Sequence, residues 1–322
     1  GTAFAVNTAA GGNVVVININ SSSDPADDNK ISVYNGSTSA YEIISNITMD
    51  GQWHHVAYTS TSTLGSLYVD GVLQGTHVPG YTFAVDDLWS IGQEYDSGLV
   101  LSDLLDGRVD EMRIWSNTLA QSWIRNHMCR KDLSAHPRVT PTNFLTAYYR
   151  FDDGIGTALR DLSGNDLHGR LMNMSSTSDW VTSGAPIGDI SANTYGGTTV
   201  TLTDGTSFNS NNYTGTPVGV HVYKVNEAPN NVTLPANYTA LETSEYYGVH
   251  VVGGTTPNYT GTLNYGANPN IEGQPIEAGV RLAGRANNAA GAFSDIAAQT
   301  LNTTANTIVV PNQGSKEFIP GF

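Results

Sequence analysis

The sequence has almost no cysteine, little charge and no long apolar run. A single cysteine, Cys129, among 322 residues excludes an intrachain disulfide and any zinc or iron–sulfur centre built from several thiolates. No run of about 18 consecutive apolar residues occurs, so no membrane-spanning helix is expected. Charged residues make up 13% of the chain, about half the usual share. Basic residues are the scarcer kind: 14 Lys and Arg against 29 Asp and Glu leave a net charge of −15. No Lys/Arg cluster stands out against that background, so DNA or RNA binding through phosphate contacts is not expected. The chain opens at Gly1 without Met or a basic segment leading into an apolar one, which reads as a chain whose signal peptide has been removed. An acidic, disulfide-free chain rich in Thr, Asn and Gly suits a secreted protein of a bacterial cell surface.

What is present is mostly strand. Residues 13–19 (NVVVINI) and 30–35 (KISVYN) are rich in β-branched side chains and bounded by Ser, Asp, Asn and Gly. Residues 53–60 (WHHVAYTS) alternate, and SLYVDGVLQGT predicts a hairpin with Asp70-Gly71 at a type I′ tip, where two residues need positive φ. LWSIGQE and GRVDEMRIWS predict further strands. Turn signals about every 8–12 residues point to an antiparallel sandwich. One helix is predicted over 118–128, with Leu119, Trp123, Ile124 and Met128 on one face. A loop follows from Lys131 to Asn143, with Pro137 and Pro141 in it, and strand character returns at LTAYYRFDD and GRLMNM.

Residues 183–197 (SGAPIGDISANTYGG) read as a linker. Beyond it charge thins, and TTVTLTD, VGVHVYKV, YYGVHVVG, TGTLNYG, AGVRLAGRA and NTIVV are strand candidates. In VGVHVYKV, Val218, Val220 and Val222 alternate with Gly219, His221 and Tyr223, which predicts one buried face. The expected organisation is all-β: an antiparallel jelly-roll β-sandwich over residues 1–185, then a smaller Ig-like β-sandwich over 186–322.

The run WHHVAYT (53–59), LYVDG (67–71), IGQ (91–93) and GRVDEMRIWS (107–116), followed by a short helix, resembles a LamG-like domain. That is the concanavalin A-like jelly roll shared with pentraxins and laminin G modules. YYRFDDGIGT (148–157), DLSGNDLHG (161–169) and Trp180 resemble the motif that opens such domains, displaced here to follow the rest. It either folds back as a permuted first strand or belongs to a neighbouring module. The order of these motifs is similar to that in large surface proteins of Bacteroidota.

An enzyme of this scaffold would need two carboxylates about 5–5.5 Å apart, as in E-x-D-x-x-E glycosidases. The nearest string, residues 107–113, places Arg108 and Arg113 where carboxylates would be required. As strand neighbours, Asp110 and Glu111 would point to opposite faces. No G-x-S-x-G elbow occurs either, so no enzymatic activity is expected. His54 and His55 would likewise face apart, one packed and one exposed, and Trp53, Trp89, Trp115 and Trp123 are expected in the core. Some of the 16 Tyr could stack on sugar rings, without a pattern that singles any out.

Calcium is the expected ion, since it takes about six to eight oxygen ligands from flexible acidic loops. Asp161, Asn165 and Asp166 surround a Gly in DLSGND, and SSSDPADDN offers Asp24, Asp27 and Asp28. An Asx-turn without metal is the alternative reading of the first loop, and plain solvation that of the second. The LamG-like resemblance implies a structural calcium at a sandwich edge and adds Asp110 as a ligand. The function expected is adhesion or polysaccharide binding by a non-catalytic segment of a surface protein. Its partner would be a polysaccharide or glycoprotein surface. The alternatives are a structural spacer or filament module contacting its neighbours in a fibre, and an accessory domain of a polysaccharide-degrading enzyme.

Overall fold

The computed structural model of the chain describes residues 1–19, 24–136, 138–139 and 144–322. The chain divides into two compact units, one of residues 1–124 and 137–180, the other of 125–136 and 181–322.

The first unit runs β1 (Thr2–Asn7), β2 (Asn13–Ile19), β3 (Lys30–Asn35), β4 (Ala40–Thr48), β5 (Val56–Ser60), β6 (Gly65–Val69), β7 (Val72–His77) and β8 (Leu88–Ile91). It continues with β9 (Glu94–Asp96), β10 (Val100–Ser102), β11 (Met112–Trp115), the first half of helix α1 (Gln121–His127), whose residues 125–127 belong to the second unit, β12 (Leu145–Tyr149), β13 (Ala158–Leu159) and β14 (Gly169–Arg170). All its strand pairings are antiparallel. A five-stranded sheet in the order β4-β3-β2-β1-β8 presents Val6, Val15, Ile17, Val33 and Ile43 to Leu67 and Val69 of the β5-β6-β7 sheet. Alternation explains the pairing, because Val6 lies opposite Val15, Ile17 opposite Val33, and Val33 opposite Ile43. On β1, Asn7 holds the β9–β10 hairpin: its amide donates to the Tyr95 carbonyl (3.0 Å) and its Oδ1 accepts from the Tyr95 N–H (3.2 Å).

The predicted hairpin forms as β6–β7, with Val69 opposite Val72 and positive φ at Asp70 (50°) and Gly71 (69°). The predicted 53–60 strand starts only at Val56, because the Asp70 carboxylate takes the His55 N–H (2.8 Å). In GRVDEMRIWS the strand covers only Met112–Trp115, since Glu111 has a φ of 53° that no strand accommodates. The strand-alternation argument for Asp110 and Glu111 therefore does not apply at these two positions. The helix is shorter than the 118–128 predicted. Pro137 and Pro141 of the predicted loop, and Ser21, Ser22 and Ser23 of the acidic one, lie outside the described residues. The YYRFDD segment folds back: β12 pairs antiparallel with β11, and Ala147, Tyr149 and Leu159 form a small core with Met112, Ile114 and Trp180 at its edge.

The second unit runs β15 (Ile190–Tyr195), β16 (Thr199–Asp204), β17 (Thr206–Thr214), β18 (Gly219–Val225), β19 (Tyr246–Val252) and β20 (Asn258–Asn264). Then come β21 (Arg281–Arg285), β22 (Ser294–Asp295), β23 (Thr300–Asn302), β24 (Thr307–Gln313) and β25 (Lys316–Gly321). Two sheets, β15-β18-β19-β25-β21-β22 and β16-β17-β20-β24-β23, enclose a core containing Phe208, Val222, Tyr247, Leu263, Ile308 and Phe318. Residues 190–195 are a full strand paired with β18 instead of part of a linker. The one-face expectation for 218–225 is also corrected, because every residue of β18 is buried. Val220 and Val222 face the core, while His221 on the other face meets the Tyr195 hydroxyl (2.9 Å), which also reaches the sulfur of Met128. The stretch 125–136 supplies that second cover, which no period within β18 could reveal.

Candidate functional site

The most exposed aromatic group of the first unit lies along the outer strand of its five-stranded sheet. Tyr81, Phe83 and Val85 alternate in the loop leading into β8, and Trp89 sits on β8 opposite Val6. Phe83 and Trp89 are 48% and 45% exposed, enough to offer a ring face to a ligand. Their ring centroids lie 5.4 Å apart; Tyr81 follows 5.5 Å from Phe83, and Phe4 meets Trp89 edge-on at 5.7 Å. Asp87 fixes the approach by accepting the Ala84 N–H (2.7 Å) while its own N–H returns to the Ala84 carbonyl (3.3 Å). The expectation that Trp89 belongs to the core is thus corrected. No further strand flanks β8 among the described residues, so its inward-pointing side chain reaches past the edge of the sandwich.

Behind the rings runs a polar relay. The Tyr81 hydroxyl meets the Tyr58 hydroxyl at 2.8 Å, and Tyr58 meets His77 Nε2 at 2.7 Å. Burial pushes the Tyr58 and Tyr81 hydroxyls up and the His77 imidazole down, so all three are neutral near pH 7. A side chain at position 65 would collide with both the Tyr58 hydroxyl and His77 Nε2, which accounts for Gly65 at the start of β6. Neutral hydroxyls beside exposed ring faces suit an uncharged polyhydroxyl ligand, whose C–H faces stack and whose O–H groups exchange hydrogen bonds.

The comparisons with known proteins bear on this unit. The first 125 residues match the concanavalin A-like lectin/glucanases superfamily. No curated protein matches the chain. Among solved structures, the chain is similar to the crystal structure of a "putative carbohydrate binding protein" from Bacteroides ovatus, at 15% identity and a TM-score of 0.31. That match covers 52% of this chain and half the length of the other. Every ring of the aromatic ledge falls within the concanavalin A-like segment.

The charged residues singled out in the concanavalin A-like segment do not meet at the ledge. His54 is held by two carboxylates, with Nδ1 2.7 Å from Asp70 and Nε2 3.2 Å from Asp50. Burial alone would lower its pKa, but Asp70 and then Asp50 raise it above the ordinary value. Glu111 is enclosed by Arg113 (2.8 Å), Arg150 (3.4 Å) and the Tyr148 hydroxyl (2.6 Å). Asp110 accepts the Glu111 N–H (2.9 Å). Asp24 caps a short turn through the Ala26 N–H (2.9 Å), Asp27 pairs with Lys30 (3.3 Å), and Asp28 is exposed.

The 161–166 loop is closed by its own protein donors. Asp161 Oδ1 accepts the N–H groups of Tyr148 (2.8 Å) and Ser163 (2.9 Å). Its Oδ2 accepts the Ser163 hydroxyl (2.8 Å) and the Leu167 N–H (3.0 Å). Burial works to raise the Asp161 pKa, but these donors hold it below the usual value. Asn165 turns its amide N–H groups to the carbonyls of Leu145 and Thr146 (both 2.9 Å), and Asp166 is exposed at a φ of 57°. With both Asp161 oxygens doubly engaged, the loop as folded does not fit a calcium ion. Among the described residues no group of three or more His, Cys, Asp or Glu is placed to hold a metal. The loop's work is to staple the returning chain to β12. Asp161→Ala is accordingly expected to cost about 3 kcal/mol by stranding buried N–H groups, read as a lower urea midpoint for the first unit. An unchanged midpoint would remove the staple.

The sequence alone does not single out the aromatic ledge, because Trp in a strand reads first as core. The signal that could have found it is Tyr81-Thr82-Phe83-Ala84-Val85, an alternating apolar run outside any strand.

Proposed function

We propose that the concanavalin A-like segment is a non-catalytic carbohydrate-binding domain and that the ledge of Trp89, Phe83 and Tyr81 is where the sugar stacks. The observation that carries this reading is a pair of half-exposed, neighbouring rings backed by neutral hydroxyls. The superfamily matched by residues 1–125, which takes in lectins, supports it. A non-catalytic role is supported by Glu111, whose carboxylate is enclosed by two arginines and a tyrosine hydroxyl. The acidic chain favours neutral polysaccharides over sulfated or uronic-acid ones. The wider setting we infer is adhesion by a secreted bacterial surface protein.

Affinity electrophoresis against neutral polysaccharides (β-glucans, mannans, xylans), with sulfated and uronic-acid polymers as controls, tests the proposal. Retardation by at least one neutral polymer is expected, weakened about tenfold or more by Trp89→Ala, as for a central aromatic anchor. The melting temperature should move little, because the ring is already half in water. Retardation equal in Trp89→Ala and the parent would remove the ledge from the binding site; no retardation by any neutral polymer would sink the function.

A further inference from the structure

The second unit contains a polar cleft of about 200 Å³ between the β16–β17 turn, the start of β19 and the loop after β20. Its lining residues Asp204, Thr206 and Glu245 are held from beneath by a buried network around Lys224, which does not itself line the cleft. Lys224, 5% exposed, reaches Glu245 Oε2 at 2.6 Å and donates to the Asp204 carbonyl at 3.2 Å, with the Asp204 carboxylate at 3.5 Å. The hydroxyls of Thr206 (2.9 Å) and Tyr247 (3.2 Å) both reach Glu245 Oε1, and they also contact each other. Glu245 and Thr206 are therefore committed to this network and held in place before any ligand arrives. On one wall, Asn268 Oδ1 accepts the Asn270 N–H (2.9 Å), which sets the loop. Ser244, Asn270 and the half-exposed Asp204 complete the rim, and Ala267 and Pro269 add a small carbon surface.

Chemistry narrows the occupant. Two carboxylates against one ammonium leave a negative cleft, which disfavours phosphate, sulfate and carboxylate ligands. Calcium needs about six to eight oxygens, whereas the Lys224 ammonium already lies between Asp204 and Glu245. No aromatic wall lines the cleft to stack a nucleobase. What remains is a carboxylate acceptor, an amide and a hydroxyl around a volume that suits a single sugar ring. That mixture of donors and acceptors matches vicinal hydroxyls, each of which both donates and accepts. We propose that this cleft is a second binding site, independent of the ledge, for one neutral monosaccharide unit, with Asp204 accepting from a pair of hydroxyls and Asn270 and Ser244 fixing its orientation.

The test is NMR titration of the full chain with D-glucose, D-galactose, D-mannose, L-fucose and D-xylose. At least one sugar is expected to shift the amide signals of Ser244, Asn268 and Asn270, with a dissociation constant on the order of 1 mM for so small an unlinked ligand. Asp204→Asn, which keeps the Lys224–Glu245 pair, should weaken that sugar about tenfold by removing a charge-assisted acceptor. Asn270→Ala, on an exposed loop, should weaken it without disturbing the spectrum elsewhere, and Trp89→Ala should leave it unchanged. The proposal is overturned if none of the five sugars moves these signals, or if both cleft variants bind like the parent. Loss of cleft binding in Trp89→Ala would also overturn its independence from the ledge.

Discussion

Replacing Glu317 with Ala is expected to destabilise the second unit by about 3–5 kcal/mol, the usual cost of leaving a buried charge without its partner. Glu317 and Arg285 face each other across β25 and β21, with side chains 2% and 1% exposed and Nε 2.7 Å from Oε2. The guanidinium also donates to Asn230 Oδ1 (2.7 Å), the Gly291 carbonyl (3.1 Å) and Asn288 Oδ1 (2.8 Å). Tyr223 donates its hydroxyl to the other Glu317 oxygen (3.1 Å). Burial pushes the Glu317 pKa up and Arg285 pulls it back, with burial prevailing. Without Glu317 the guanidinium stays desolvated between Phe293 (4.3 Å) and Tyr246 (5.5 Å), whose ring faces offset only part of the loss. The double variant Arg285→Met/Glu317→Leu should recover much of the stability, because two apolar groups leave no charge stranded. Urea denaturation of the single and double variants decides the matter. A single-variant loss below about 1 kcal/mol would mean that water reaches the pair.

How much of this was legible in the sequence depends on where each residue's constraints come from. Strands β2 and β3 and the Asp70-Gly71 turn follow from local composition, since β-branched runs and a positive-φ pair carry their own instruction. The strand β15, Ile-Ser-Ala-Asn-Thr-Tyr, has no such run and forms because β18 offers a paired edge. Glu111 shows the same limit from the other side: beside its near neighbour Arg113, it has two long-range partners, Tyr148 and Arg150, that only the return of the chain through β12 supplies. The DLSGND loop reads from sequence either as calcium ligands or as an Asx-turn, and the bond from the Ser163 N–H to Asp161 is that turn. What the sequence does not show is the reach of the same carboxylate to the Tyr148 N–H, 13 residues away, which depends on the return of the chain beside β12. Aromatic residues mislead in the opposite sense. Whether Trp89 lies in the core or at a sheet edge depends on the strand order, and four residues of β8 do not encode that order.

The strongest pH dependence is expected from Glu94, on the hairpin that Asn7 holds. Its side chain is 6% exposed, and its Oε2 is buried without a hydrogen-bond partner. Burial first, then the nearby carboxylates of Asp103 and Asp96, push its pKa up to about 7 from an ordinary 4.5. A carboxyl group that is harder to ionise in the folded chain favours folding while it stays protonated. As pH rises from about 4.5 to about 7 the unfolded chain releases this proton freely and the folded chain does not, so stability falls through that window and levels off above it. Integrated over the window, the loss is about 3 kcal/mol. Glu94→Gln keeps a neutral side chain of the same shape at every pH, so it should match the parent near pH 4 and be more stable at pH 8. Denaturation of both proteins at the two pH values reports Glu94 together with its coupling to Asp103 and Asp96, because more distant titrating residues cancel in the difference. A variant no more stable than the parent at pH 8 would show that Glu94 ionises normally and that the hairpin admits water to its carboxylate.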